Sequence, residues 1–229
     1  MLTKEDLIYT VSYITSENIK DGVLKLTGAT GFFYKTQKDG KELYLIISNK
    51  HFFENKNTFK FSMPFVNNNK EYTMNYTITI TPAVHPTYDI GVICINDAIQ
   101  NLKENFILKN KFIENIDLLN ISQQSVDSIE EALMIGYPFG LKSDNSTMPL
   151  IRHGIIATPL YFNYENREEF LVDILCFNGS SGSPIFINKK DRYYVVGIER
   201  SYLEYEKMNV GLGRCINSNF IKNYLSMII

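Results

Sequence analysis

Short runs of β-branched and aromatic residues alternate with polar positions along most of the chain, the period of a strand with one buried face. In the first half these runs predict strands at Ile8 to Thr15, Leu24 to Tyr34, Leu43 to Ser48, Thr73 to Thr81 and Ile90 to Ile95. In the second half they predict strands at Ala132 to Gly136, Leu150 to Thr158, Phe170 to Cys176, Pro184 to Ile187, Tyr193 to Glu199 and Val210 to Ile216. Turns are expected at Asp39-Gly40, at Asn67-Asn68-Asn69 and around Lys189-Lys190-Asp191, where residues that tolerate turn geometry cluster. Two segments instead show helical spacing. Ile99 to Ile113 carries Leu102, Phe106 and Ile107, and Ser218 to Ile229 gathers Phe220, Ile221, Tyr224, Leu225 and Ile228 on one face behind Asn217 or Ser218 as a cap. Many short strands with little helix predict an all-β sandwich or barrel.

Length and charge narrow the class. The chain has 229 residues, 45% of them hydrophobic, which suits one large all-β unit or two small packed barrels. A formal net charge of -2 shows no basic excess, so no nucleic-acid partner is expected. No stretch approaches the roughly 20 apolar residues of a membrane helix, so no membrane partner is expected either. The start, Met1-Leu2-Thr3-Lys4-Glu5-Asp6, lacks a basic residue followed by an apolar run, so no secretory signal is expected. Cys94, Cys176 and Cys215 are an odd set inside apolar segments and read as buried free thiols. These features lead to an expected cytoplasmic, reducing location. No cofactor and no metal site is expected.

Gly179-Ser180-Ser181-Gly182-Ser183-Pro184 carries the candidate chemistry. A nucleophilic serine needs a tight, exposed turn and backbone N–H groups aimed at the oxygen that becomes negative. The glycines permit that turn, and the N–H groups of Gly179 and Ser181 would form the oxyanion hole. The plain alternative is an ordinary Gly/Ser loop. All three histidines, His51, His85 and His153, precede Ser181, which excludes the order Ser…Asp/Glu…His for this serine. The order His…Asp…Ser remains.

His51 follows the apolar run Tyr44-Leu45-Ile46-Ile47-Ser48, and the end of a buried strand holds a general base rigidly. Asp89 lies against Ile90-Gly91-Val92-Ile93, where a partly buried carboxylate needs a partner such as a histidine N–H. His85 reads as a loop residue, and His153, between Arg152 and Gly154, as a structural or specificity residue.

These segments together resemble the trypsin-like peptidase family. Gly28-Ala29-Thr30-Gly31-Phe32-Phe33 is similar to an early strand of the family, and Ser48-Asn49-Lys50-His51 to the segment that delivers its histidine. Tyr88-Asp89-Ile90-Gly91-Val92 resembles the segment with its aspartate, and Gly179 to Pro184 resembles its nucleophile motif. The separations, 38 residues from His51 to Asp89 and 92 from Asp89 to Ser181, suit that family.

The resemblance implies two antiparallel six-stranded β-barrels of chymotrypsin type with a C-terminal helix, in one unit over residues 1–229 with halves near 1–110 and 111–229. It implies a serine endopeptidase acting on a protein or peptide substrate through an acyl-enzyme, with His51, Asp89 and Ser181 as the triad. It places Leu175, Asn178, Glu199, Arg200 and Gly211 around the substrate side chain, with Leu175 as an apolar floor. Glu199 would favour a basic side chain if it faced the pocket, and otherwise would reach solvent or pair with Arg200 or Arg214. Ser180 departs from secreted members, which often carry Asp there to bind a new N-terminus. The likeness is therefore to the intracellular and bacterial branch, with HtrA-like and glutamyl-endopeptidase-like enzymes, and control is expected from a regulatory partner, ligand or loop. The alternatives are a catalytically silent scaffold that binds peptides or proteins, and an esterase on the same scaffold.

Overall fold

The computed structural model describes residues 2–20, 23–68, 70–101, 107–122, 126–141 and 148–229. The first half holds β1 (Val11–Lys20), β2 (Val23–Lys38), β3 (Lys41–Ser48), the one-turn α1 (Lys50–Phe53), β4 (Thr58–Asn67), β5 (Lys70–Thr79), β6 (Ala83–Val84), β7 (Gly91–Cys94), α2 (Asn96–Gln100) and β8 (Ile107–Leu108). The second half holds β9 (Glu131–Gly136), β10 (Leu150–Ile156), β11 (Glu169–Asp173), β12 (Pro184–Lys189), β13 (Arg192–Tyr205), β14 (Met208–Asn217) and α3 (Ser218–Ile228).

The C-terminal strands close into a six-stranded barrel in the order β10-β11-β14-β13-β12-β9, as expected. The N-terminal half differs from the expected six-stranded barrel. Its strands form an eight-stranded sheet in the order β5-β4-β1-β2-β3-β7-β6, with β8 added to β4, and no described pairing joins its ends. Strand β4 was not among the predicted strands. Its alternation is nonetheless clean: Phe59, Phe61, Met63 and Phe65 are all buried, with Pro64 between the last two.

The expected helix over Ile99 to Ile113 is not formed as such. Helix α2 ends at Gln100, residues 102–106 lie outside the described set, and Ile107 and Leu108 pair with Val66 and Phe65. Beyond them the N–H groups of Lys109, Lys111 and Ile113 donate to Pro64, Tyr9 and Phe33. Every second N–H bonding to another segment requires extended backbone, so inter-strand pairing overrides the weak helical spacing. The other predicted strands are present with shifted ends. At Asp39-Gly40 and Lys190-Asp191 both central residues have positive φ, the tight-hairpin geometry that joins Lys38 to Lys41 and Lys189 to Arg192. Of the Asn67 to Asn69 turn, Asn68 has φ 48°, and Asn69 lies outside the described residues.

One core fills the barrel around Phe170, Val172, Ile185 and Val196, and another fills the first sheet around Phe33, Ile46, Phe53 and Phe59. A third joins the halves, packing Phe32 and Ile47 with Ile135, Phe186 and Ile216 and with Ile221 and Leu225 of α3. Asn217 caps α3, its Oδ1 accepting from the Phe220 N–H at 2.9 Å. The chemistry-bearing segments lie along this seam.

Candidate active site

His51 sits on the single turn α1, immediately after β3. Phe52 and Phe53 plug into the first core, which leaves the imidazole turned outward with its side chain 52% exposed. Its Nδ1 lies 2.7 Å from Asp89 Oδ2, and its backbone N–H donates to Asp89 Oδ1 at 2.9 Å. Asp89 therefore grips the same residue with both oxygens. This sets the ring orientation and, with a neutral ring, places the proton on Nδ1 and leaves the lone pair on Nε2. Asn49 donates from Nδ2 to the Asp89 carbonyl at 2.8 Å, and Lys50 Nζ to the Pro86 carbonyl at 2.9 Å. Burial alone would raise the Asp89 carboxyl. The His51 hydrogen bonds, with the charges of His51 and Arg200, outweigh it and hold the group below the ordinary carboxylate range.

The loop that carries Asp89 is fixed from the far side. His85 Nδ1 accepts from the Tyr88 N–H at 3.0 Å and the Thr87 N–H at 3.2 Å. Its ring packs edge-on against Phe220 and Tyr224 of α3, and the Tyr88 ring stacks on Phe220 at 3.8 Å. His85 is thus a loop residue, as expected. From the barrel, Arg167 Nη2 donates to the Thr87 carbonyl at 3.3 Å and the Glu168 N–H to the Tyr88 hydroxyl at 3.2 Å. His153 is exposed on β10 with Glu131 as its acidic neighbour at 3.9 Å, apart from this cluster.

The loop of Gly179 to Ser183 is held by short contacts. Ser180 N–H donates to Phe177 O, and Ser183 N–H to Ser180 O, each at 2.9 Å. Glycine is required at both of its positions. Gly179 and Gly182 have φ +90°, and a Cβ on Gly182 would lie 1.9 Å from the Thr30 carbonyl oxygen. Among the described residues the N–H groups of Gly179 and Ser181 donate to no protein acceptor. Ser181 itself is half-buried, and no described hydrogen bond joins its Oγ to His51.

Thr30, which the sequence reading did not single out as a functional residue, ties this loop to the first half. Its N–H donates to Ser181 O at 2.9 Å, and its Oγ1 donates to Gly179 O at 2.9 Å and accepts from the Tyr137 N–H at 3.0 Å. Its carbonyl accepts from Ser48 Oγ at 2.7 Å, three residues before His51. One buried residue of β2 thereby brings the Ser181 loop and the His51 segment together. Its position in Gly28-Ala29-Thr30-Gly31 was visible in the sequence, but its bonds to Tyr137, Gly179 and Ser181, each across more than a hundred residues of chain, were not.

Around the loop, Leu175 is partly exposed and the Asn178 carbonyl accepts from the Phe139 N–H at 2.6 Å. Asn209, also missed, donates from Nδ2 to Cys176 O at 2.7 Å and accepts from the Gly211 N–H at 2.8 Å, joining the Leu175 and Gly211 segments. Arg200 pairs with Glu169, Nη1 lying 3.0 and 3.2 Å from its two carboxylate oxygens, and Arg167 Nε lies 2.8 Å from the same group. Arg214 pairs with Glu165 and reaches Glu169. Glu199 therefore has neither expected arginine as an ion-pair partner, and it does not reach solvent: it is 1% exposed. Burial pushes its carboxyl up to about 8, with the Asp89 charge adding to this and Arg200 opposing it.

Residues 29–198 match the family described as trypsin-like peptidase domain, and the chain belongs to that family. Among solved structures it is similar to the HtrA-type protease AlgW with tripeptide, with TM-score 0.64 and 14% identity. That match covers 98% of this chain and 62% of the other. A variant of the same protease with a decapeptide matches with TM-score 0.64 and 13% identity, over 98% of this chain and 64% of that one. At this identity the likeness is one of fold, and the chain spans less than two thirds of these proteins. No curated protein matches it.

Proposed function

We propose that this chain is a serine endopeptidase in which Ser181 attacks the scissile carbonyl, His51 Nε2 takes its proton, and Asp89 orients the imidazole and stabilises the imidazolium. The observation that carries the reading is the double grip of Asp89 on His51, 2.7 Å to Nδ1 and 2.9 Å to the backbone N–H. Attack by Ser181 Oγ forms a tetrahedral intermediate whose oxyanion accepts from the Gly179 and Ser181 N–H groups, which donate to no acceptor among the described residues. His51 then returns the proton to the leaving amine, and water hydrolyses the acyl-enzyme by the same route. The Ser181–His51 hydrogen bond forms as substrate binds, since catalytic contacts tighten in the Michaelis complex.

The substrate is a peptide or protein chain. Leu175, Asn178, Arg200 and Gly211 border the side chain before the scissile bond, and the exposed apolar Leu175 supports an apolar side chain there; the Glu199 carboxyl, 1% exposed, is enclosed by protein. The peptide-bound HtrA-type neighbours are consistent with an extended peptide in the cleft. Ser180 is buried and offers no carboxylate to a new N-terminus, which supports control by a regulatory partner rather than by trimming.

A fluorophosphonate probe followed by a peptide library tests this. Wild type is expected to label and to cleave peptides, and Ser181→Ala to do neither. Labelling retained in Ser181→Ala would move the nucleophile. A folded wild type that never labels would favour the silent, peptide-binding scaffold, and labelling with ester but no peptide turnover would favour an esterase.

A further inference from the structure

Glu199 is a buried carboxyl that the proton relay above does not use. Its main chain brackets the nucleophile loop: its N–H donates to Ser183 O and its carbonyl accepts from the Gly182 N–H, both at 2.9 Å. Its side chain turns into the protein, and Oε2 is sealed from solvent with no hydrogen-bond partner. Arg200, the cation whose charge acts on it, is committed to Glu169. Among the described residues, the other ionisable groups coupled to it come from three further segments. Asp89 lies on the loop before β7, Cys176 on the segment leading to the nucleophile, and Cys215 directly across the strand pair on β14. Burial raises both thiols, so they are neutral and Asp89 is the charge that Glu199 meets. A carboxylate whose Oε2 is buried without a hydrogen bond, and on which the Asp89 charge acts, is less stable than the acid.

We propose that Glu199 is a positioning residue for the triad, a carboxyl that stays neutral beside Asp89 and whose loss of its proton sets a second negative charge against Asp89. The proton goes to solvent and no other group is exchanged. With Glu199 neutral, it sets no charge against Asp89, whose two-oxygen grip on His51 is undisturbed. With Glu199 ionised, its buried, unpaired charge opposes that of the partly exposed Asp89, and the site relaxes by admitting water or shifting Asp89 away from the imidazole. The catalytic consequence rests on the peptidase reading. The titration beside Asp89 does not.

The test is the pH dependence of fluorophosphonate labelling, from about pH 5 to about pH 10, in wild type and Glu199→Gln. It is accompanied by a proton NMR titration of the His51 Cε1–H signal in both. Glutamine keeps the shape of the neutral acid and cannot ionise. Wild-type labelling is expected to fall about tenfold per pH unit above pH ~8 while Glu199→Gln holds its plateau. The His51 signal is expected to show a second inflection near the same pH in wild type and none in the variant. Superimposable labelling profiles, or a single His51 inflection in wild type, overturn the proposal. So does a Glu199→Gln protein with native near-ultraviolet circular dichroism that fails to label at every pH. If wild type never labels but His51 inflects twice, the peptidase reading fails while the coupling of Glu199 to the Asp89–His51 pair stands.

Discussion

His51 owes its orientation to its immediate neighbours in sequence and to one distant carboxylate. Phe52 and Phe53 anchor the turn in the core, so the ring has little freedom beyond rotation about its own bonds, and Asp89 removes that. Asp89→Asn keeps the size of the side chain, but its Nδ2 can accept no hydrogen bond. One of the two N–H groups of His51 then loses its partner, and the ring is free to take the wrong tautomer. Turnover is expected to fall roughly 10⁴-fold with the fold intact, measured as acylation rate against circular dichroism. A loss of only a few fold would mean that the grip seen here does not act in the reaction. His51, Asp89 and Ser181 stood out as candidates in the sequence because each sits in a short motif, and the structure pairs the first two. Glu199 stood out in the sequence as a charged residue on its strand. Its isolation from Arg200 and Arg214 did not, since Glu169, thirty residues away, takes up both arginines.

Strand β2 does more than pair with β1 and β3. Through Thr30 it is the member that carries the Ser181 loop on one side and the His51 segment on the other. Thr30→Val keeps the shape and the strand propensity but removes Oγ1. The Gly179 carbonyl and the Tyr137 N–H then lose a buried partner, at about 1–3 kcal/mol for each group left unpaired. The loop that holds the proposed oxyanion donors should shift, so labelling of Ser181 is expected to slow by roughly 10²-fold while the thermal midpoint drops by several degrees. A variant that melts earlier yet labels at the wild-type rate would show that Thr30 supports stability alone. Helix α3 acts from the opposite side, since Phe220 and Tyr224 form the wall against which His85 and Tyr88 fold the Asp89 loop. Its helical face and its cap were readable from spacing. That it supports the aspartate was not, because the contact spans more than a hundred residues of chain.

Two carboxyls with opposite shifts, the partly exposed Asp89 and the buried Glu199, give the molecule a characteristic pH dependence. Asp89 is more acidic folded than its ordinary value of 3.8, so the folded state binds fewer protons. Its contribution is complete above that value and is lost as pH falls through the lower folded value. Glu199 is less acidic folded, raised from 4.5 to about 8, so the folded state binds more protons and stability declines as pH rises across that interval. Urea midpoints measured across pH should therefore fall at both ends. Asp89→Asn is expected to flatten the acid limb, and Glu199→Gln to flatten the decline between about pH 5 and pH 8. Unchanged slopes in the two variants would show that other groups govern the titration. The seam core is the reason such local charges matter globally: Phe32, Ile47, Ile135 and Ile216 join the halves in one cluster, so disturbing the groups on the seam disturbs the packing of both.

What could be read along the chain was local. Alternation located β2, β3, β9 and β13, residues with positive φ formed the hairpins at Asp39-Gly40 and Lys190-Asp191, and one apolar stripe behind Asn217 defined α3. The order of the histidine, aspartate and serine motifs was local information as well. Closure was not. The C-terminal strands close because β10 finds both β9 and β11, whereas the N-terminal sheet takes on β4 despite its proline and extends through β8, a segment whose spacing suggested a helix. Hydrogen bonds between distant strands made those choices, and they outweigh the weak propensities of the segments that form them. The same reason separates the residues that carry chemistry from those that position them. Ser181 is recognisable from its neighbours in sequence, while Thr30, Asn209 and Arg167 acquire their parts only from partners that folding brings within 3.5 Å.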